Sequence, residues 1–465
     1  MLKKYRSLVG QRGSFKRNAL LMSGGAAANV IVSLGLYPIV TRLFTKEDFG
    51  LFGIYGAIVS TLLMMATWLY PSAFVIPKLK REFYALLKLA LYLTLIAIFI
   101  SLLLIFFGRS FLDFFFRSES LGNLIYLIPV GILLSSFLDI FTNWNVRNKL
   151  FKSNAVASIG SAVTMKSSNI LFGAIMGSSA IGLIVSQFIS TVTNIYLLGF
   201  RKLAPKILII SRISKAEVFS IAKKYKKYPL NLLPGNLVNK YTSDLPIYLL
   251  TAYFNPAITG AFVLANQMMK VPLNVIGRSI SSVFIQKSNE LYLIDPESIS
   301  TFTLKINKKM LIIASLAFGF LFGFGDVAFG FVFGKQWLDA GKIATILSLY
   351  YVLQSVSAPL SGIFRVTGNE RYALYVSILL AILRTLGMYL GVMSGNVFTA
   401  ILYFTIGNMV GYFVTMILIF ISINISIFKS GLQTLLIVGV VFLAFYLLRE
   451  FVDEFVDLRK VLKLH

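Results

Sequence analysis

Apolar residues run along this chain in blocks of some twenty or more, separated by short polar connections. About 20 apolar residues in a helix cross the ~30 Å hydrocarbon core of a bilayer. The blocks predict spans near 18–40, 49–76, 84–107, 121–141, 155–176, 179–200, 230–253, 257–285, 309–333, 341–364, 371–393, 397–424 and 431–449. The expected fold class is all-α, a polytopic membrane protein of about 12–13 transmembrane helices. The longest polar connection separates the first six spans from the next six. It divides the chain into an N-terminal six-helix bundle (1–200), a basic cytoplasmic linker (201–228), a C-terminal six-helix bundle (229–425), and an extra helix with an amphipathic tail (426–465). In the tail Phe451, Phe455, Leu458 and Leu462 recur at helical spacing among charged residues, the pattern of an interfacial helix or of a frayed end.

A faint internal repeat matches this division. Phe44, Gly50 and Phe52 follow the first span, and Phe254, Gly260 and Phe262 follow the seventh, offset by 210 residues. Pro38-Ile39 and Pro246-Ile247 stand shortly before each group. An even number of helices per half makes the repeats parallel, so the bundles are expected to be related by a pseudo-two-fold axis along the membrane normal. Prolines within the first span of each half suit a hinge for alternating access, or an ordinary kink.

Composition agrees: 57% of residues are hydrophobic and only 13% charged, with no block polar enough for a sizeable extramembrane domain. The net charge of +26 first suggests nucleic acid, but its distribution excludes that partner. Six Lys or Arg precede residue 18 and nine lie in 201–228, while the whole alternate set of connections holds only Arg42, Lys46, Arg109, Arg117, Lys335 and Lys342. This is the positive-inside asymmetry, and it places the N-terminus in the cytoplasm. The apolar run after Arg17 continues to Val40, so Met1–Arg17 reads as the start of an uncleaved helix rather than a signal peptide. With no cysteine and a single terminal His465, thiolate and histidine metal sites are excluded. Gly330–Gln336 is one residue short of a P-loop and lacks its Ser/Thr, and the outward connections are too short to fold over a substrate. No catalytic residue, metal or cofactor is expected; the chain does not read as an enzyme.

The informative residues are those a bilayer should reject. Lys166, Lys240, Lys270, Arg278 and Arg384 fall inside predicted spans. At about 3 kcal/mol each, the five would cost on the order of 15 kcal/mol facing lipid, so they must face protein or a wet interior. In the eighth span Asn266, Lys270, Asn274 and Arg278 are spaced by four and form one stripe, suited to meeting an anion. Lys240 and Asp244, also four apart, form either a mutual salt bridge or part of such a lining. Asn29 is a further polar lining candidate, Asp326 and Asp244 are candidate ion-coupling acids, and Asp139 is placed to pair with Arg147 or Lys149.

Residues 18–78 resemble the opening of lipid-linked oligosaccharide flippases, the polysaccharide transporter branch of the multidrug/oligosaccharidyl-lipid/polysaccharide exporter superfamily. The similarity lies in Pro38–Gly50 and Ala73–Lys78. It continues at Asn145–Lys149, Gly182–Ile184, Leu245–Arg278, Val283-Phe284, Phe333–Trp337, Ala340-Gly341 and Pro359–Ser361. The resemblance implies two six-helix bundles around a cationic cavity that flips undecaprenyl-diphosphate-linked sugar repeat units across a bacterial inner membrane. The product would be surface polysaccharide: O-antigen of lipopolysaccharide, capsule or exopolysaccharide. Its implied partners are the lipid-linked oligosaccharide diphosphate, membrane lipids, a polysaccharide polymerase and a chain-length regulator. The alternative is an ion-coupled multidrug or organic-cation antiporter of the related exporter class. A diphosphate needs Lys and Arg, whereas a cation exporter should be lined by acids. One departure is plain: related sequences often carry an Arg-aromatic-acid triplet near the end of the second span, where this chain has Leu69-Tyr70-Pro71.

Overall fold

The computed structural model describes residues 15–108, 110, 114, 118–199, 206–295 and 297–455. Among them there is no strand, and thirteen helices run for 19 residues or more. They are α1 (Phe15–Leu43), α2 (Lys46–Thr67), α3 (Lys80–Phe107), α4 (Ile128–Arg147), α5 (Phe151–Ile175), α6 (Ala180–Leu198), α7 (Leu233–Tyr253), α8 (Pro256–Ile294), α9 (Ser298–Phe333), α10 (Leu338–Leu360), α11 (Glu370–Met393), α12 (Val397–Ile421) and α13 (Ile427–Phe455). Nine of them, α2–α4, α6 and α9–α13, are long and apolar enough to cross a membrane. In α1 the apolar stretch described is Ala28–Leu43. α5, α7 and α8 are long enough but too polar to join the nine. The chain is a multi-pass α-helical membrane protein.

Two compact units divide it, Met1–Tyr241 and Thr242–His465. In the first, α1 packs along α5, α5 against α6, α2 against α4 and α6, and α3 against α4. In the second, α10 is the most buried span and contacts α8, α9 and α12, while α11 packs on α12 and α13 on α9. The repeat motif has a local structural basis. Thr45 and Asn255, again 210 residues apart, are the N-caps of α2 and α8, and each side chain accepts the backbone N–H three residues on (Asp48, Ile258). Each satisfies a donor that lipid would leave unpaired.

Three expectations change. The polar connection at 286–309 is mostly helix: α8 runs on to Ile294 and α9 begins at Ser298. The 39 residues of α8 extend roughly 58 Å, well beyond the hydrocarbon core. The first part of the C-terminal tail, as far as Phe455, simply continues α13; the rest lies outside the described residues. Asp139 is hydrogen-bonded by Asn143 (2.8 Å), while Arg147 turns the other way, to the Phe74 carbonyl (2.5 Å) and over the Phe83 ring (4.5 Å).

The 206–228 segment belongs to the first unit because it is docked there. Lys215–Lys224 forms a helix capped by Ser214 and packed on α3. Its Val218 and Ile221, with Ile210, Ile213 and Tyr225, join the aromatic cluster of Phe74, Phe83, Tyr84 and Trp144. Buried Lys88 of α3 donates to the carbonyls of Ile213 (2.6 Å) and Ser211 (3.2 Å), closing the end of the preceding turn. Ion pairs Arg81–Glu217 (2.5 Å) and Lys224–Glu82 (2.6 Å) flank the contact. The hydrogen bond from Arg81 holds the Glu217 carboxyl down at about 2, so this pair survives the neutral range and is lost only as pH falls through that value. Tyr70, from the divergent Leu69-Tyr70-Pro71 triplet, is buried and donates to the Ala222 carbonyl (3.2 Å). Replacing Lys88 with Met leaves two carbonyls unanswered and should cost about 1–3 kcal/mol. Faster trypsin cleavage within 212–227, measured in detergent, is the expected readout.

Candidate functional site

In the first unit, polar side chains line up where α1 meets α5. Asn29 donates to the Ser158 carbonyl (2.8 Å) and hydroxyl (3.0 Å), and accepts from Ser33 (3.3 Å). Two turns further along α1, the buried Lys166 ammonium of α5 sits 3.7 Å from the centroid of the Tyr37 ring. A ring face held this close partly offsets the desolvation of a buried ammonium. One turn along α5, the carboxamide oxygen of buried Asn169 has no hydrogen-bond partner among the described residues. On the far side of α5, Ser161 accepts from Ser190 and Asn194 of α6 (2.8 and 3.1 Å), so α5 carries polar contacts on two faces.

In the second unit, buried Arg384 of α11 spreads its fork over three neutral acceptors. Nε donates to Asn408 Oδ1 (2.8 Å), and the terminal nitrogens to Ser243 Oγ (2.9 Å) and Tyr412 Oη (3.0 Å). The Tyr412 ring stacks on Tyr350 (6.2 Å), Tyr350 lies 4.4 Å from Tyr351, and the Tyr351 hydroxyl donates to Asn266 Oδ1 (2.6 Å). Arg384 and Asn266, 118 positions apart, thus belong to one network through α12 and α10. Lys270 follows one turn after Asn266 on the same stripe of α8 and is exposed. The side chains of Asn274 and Arg278, next on that stripe, lie outside the described residues. Lys240 and buried Asp244 are one turn apart on α7, and Asp244 directly follows the Ser243 that accepts from Arg384.

Asp326 has a different setting. α9 departs from helical geometry at Phe324 (φ −124°), and Asp326 Oδ1 accepts the Val327 N–H there (2.8 Å). Its other oxygen faces Arg449 of α13 at 3.6 Å, and Arg449 also pairs with Asp453 (2.7 Å). The thirteenth helix is therefore tied to α9 by charge as well as by Phe322–Phe442 packing (5.0 Å). Asn408, Tyr412, Ser243 and Tyr37 were not anticipated as partners. The one available signal was the four-residue spacing of Asn408 and Tyr412 in an otherwise apolar span.

The family model described as polysaccharide biosynthesis protein matches residues 39–342. The chain belongs to that family. No curated protein matches this chain in sequence. Among solved structures it is similar to one titled lipid II flippase MurJ, inward closed conformation, with TM-score 0.67, 13% identity, and 96% of this chain and 98% of that chain covered. It is also similar to an inward-facing multidrug resistance MATE family transporter of the MOP superfamily, with TM-score 0.65, 15% identity and coverage of 85% and 98%. An outward-facing MATE structure of the same superfamily gives TM-score 0.55 at 15% identity, covering 88% and 95%. The chain thus shares the fold of these structures, which are named as transporters and a flippase.

The Arg384 network yields a direct prediction. One lysine ammonium cannot reach an amide, a hydroxyl and a phenol held by two different helices. Arg384→Lys should destabilise the protein by about 1.5–3 kcal/mol, read as a lowered melting temperature in detergent, with no rescue over Arg384→Gln.

Proposed function

We propose that this protein is a flippase that moves undecaprenyl-diphosphate-linked oligosaccharide repeat units across the bacterial inner membrane. It works by alternating access, with its N-terminus in the cytoplasm, and serves surface polysaccharide biosynthesis: O-antigen, capsule or exopolysaccharide. The observation that carries this reading is the polarity of α5, α7 and α8. These helices hold Lys166, Lys240, Asp244, Asn266, Lys270, Asn274 and Arg278, and are too polar to face lipid along their length. Cations dominate, and the diphosphate is the anion they suit. Arg384 adds a buried guanidinium to this set. Family membership in polysaccharide biosynthesis and the MOP fold support the same reading.

An organic-cation antiporter on this fold would need acids at its interior. Asp326 has both carboxylate oxygens engaged, one by Arg449, which favours the anionic substrate. A polysaccharide polymerase and a chain-length regulator are the partners this role would serve.

Neutralising both stripe cations in a Lys270→Ala, Arg278→Ala double variant should abolish surface polysaccharide while the protein stays inserted at normal level. Surface staining beside a membrane-fraction blot measures both; unchanged polysaccharide in the inserted variant would rule the assignment out.

A further inference from the structure

The first unit also contains a pocket of opposite chemical character. It has a volume of about 170 Å³ and lies among α2, α4 and α6. None of its lining residues is charged. Its lining includes the aromatic rings of Phe52, Phe188 and Tyr55, the last two meeting edge to face at 6.3 Å. Neutral polar groups line it as well. Tyr55 is oriented by donating to the Leu127 carbonyl (3.2 Å), and Gly131 opposite leaves room for its phenol, with which any side chain there would collide. The Ser135 hydroxyl and the Gln187 carboxamide oxygen line the pocket without a hydrogen-bond partner among the described residues.

We infer that this pocket binds one neutral sugar ring of the transported oligosaccharide; this rests on the flippase reading above. A pyranose has apolar C–H faces that pack on aromatic rings and an equator of hydroxyls that need uncharged donors and acceptors. The pocket offers both and nothing for an ion. Its volume is below the roughly 300 Å³ at which drug-sized sites begin, so it takes one ring rather than a multidrug substrate. A lipid chain would leave Ser135 and Gln187 unanswered, at the cost of buried unpaired polar atoms. Diphosphate and sugar are thus recognised by different residues, the former by cations and the latter by this neutral pocket.

Gly56 provides the test. It lines the pocket, and a Cβ added there meets no atom within 4 Å. Gly56→Leu therefore starts from an unobstructed Cβ and puts an apolar side chain into the space, and it replaces a helical glycine with a better helix former. Two probes are compared on purified protein: the lipid-linked oligosaccharide extracted from the source bacterium, and sugar-free undecaprenyl diphosphate. Gly56→Leu should weaken binding of the first by roughly tenfold or more and leave the second unchanged, with Gly56→Ala in between. A Ser135→Val, Gln187→Leu variant, which keeps the shape but removes the free polar atoms, should show the same selectivity. Wild-type binding of both probes with either variant equally competent for both, or equally impaired for both, overturns the sugar site while leaving the flippase reading intact. Wild-type protein that binds neither probe overturns the flippase reading first and this site with it.

Discussion

A cation inside a membrane protein keeps its charge only where neighbouring dipoles replace the water it has lost, and each unit is organised around that requirement. Four side chains meet it in the same way. Arg384 is held by an amide, a hydroxyl and a phenol; Lys166 by an aromatic face; Lys88 by two carbonyls; Arg147 by a carbonyl and a ring. In each case the dipoles partly replace the hydration that burial removes. Carboxylates are used instead where helices are only being fastened, as at Asp326–Arg449 and Glu217–Arg81.

This division of roles follows the helices themselves. The apolar spans supply packing, as where Gly323 of α9 lets the Phe445 backbone of α13 approach so closely that a Cβ would lie 2.8 Å from its carbonyl oxygen. The polar helices α5, α7 and α8 hold most of the groups that a substrate could use. The same fold carries a lipid II flippase and multidrug transporters, so fold alone does not choose between substrates. In the proposed flippase that choice would fall to a few side chains: the interior cations for a diphosphate, and the uncharged aromatic pocket for a sugar.

Much of the architecture was legible from hydropathy, because a bilayer forces long apolar helices and leaves few alternatives. The succession of long helices, nine of them apolar enough to cross a membrane, and the odd polarity of the eighth could be read in that way. The ends of α8 and α9 could not. Residues such as Gln286, Lys287 and Glu290 are polar enough for a loop, yet they continue a helix past the membrane, where hydropathy no longer discriminates. The interior cations were legible as misfits, but their partners were not. Nothing in the spacing of Arg384 points to Ser243, which is 141 residues away. Lys88 escaped notice because it lies near a helix end, where a lysine is unremarkable. The pocket proposed for a sugar gave no sequence signal at all, since serine, glutamine and phenylalanine at those positions are ordinary helix-packing residues.

The polarity of α5, α7 and α8 also bears on how the chain enters the membrane. Each interior lysine or arginine adds about 2.5–3.5 kcal/mol against insertion at a helix centre, and α8 carries both Lys270 and Arg278. Such a helix is a poor solitary passenger for the insertion machinery. It gains from leaving the aqueous channel only when a neighbour can solvate its stripe. For α5 that neighbour, α1, has already been synthesised, and Tyr37 is waiting for Lys166. For α8 the principal packing partner is α10, which follows it in the chain. Biogenesis of the second unit therefore calls for α7 and α8 to be held at the insertion site until α10 arrives, a delay that the first unit is spared.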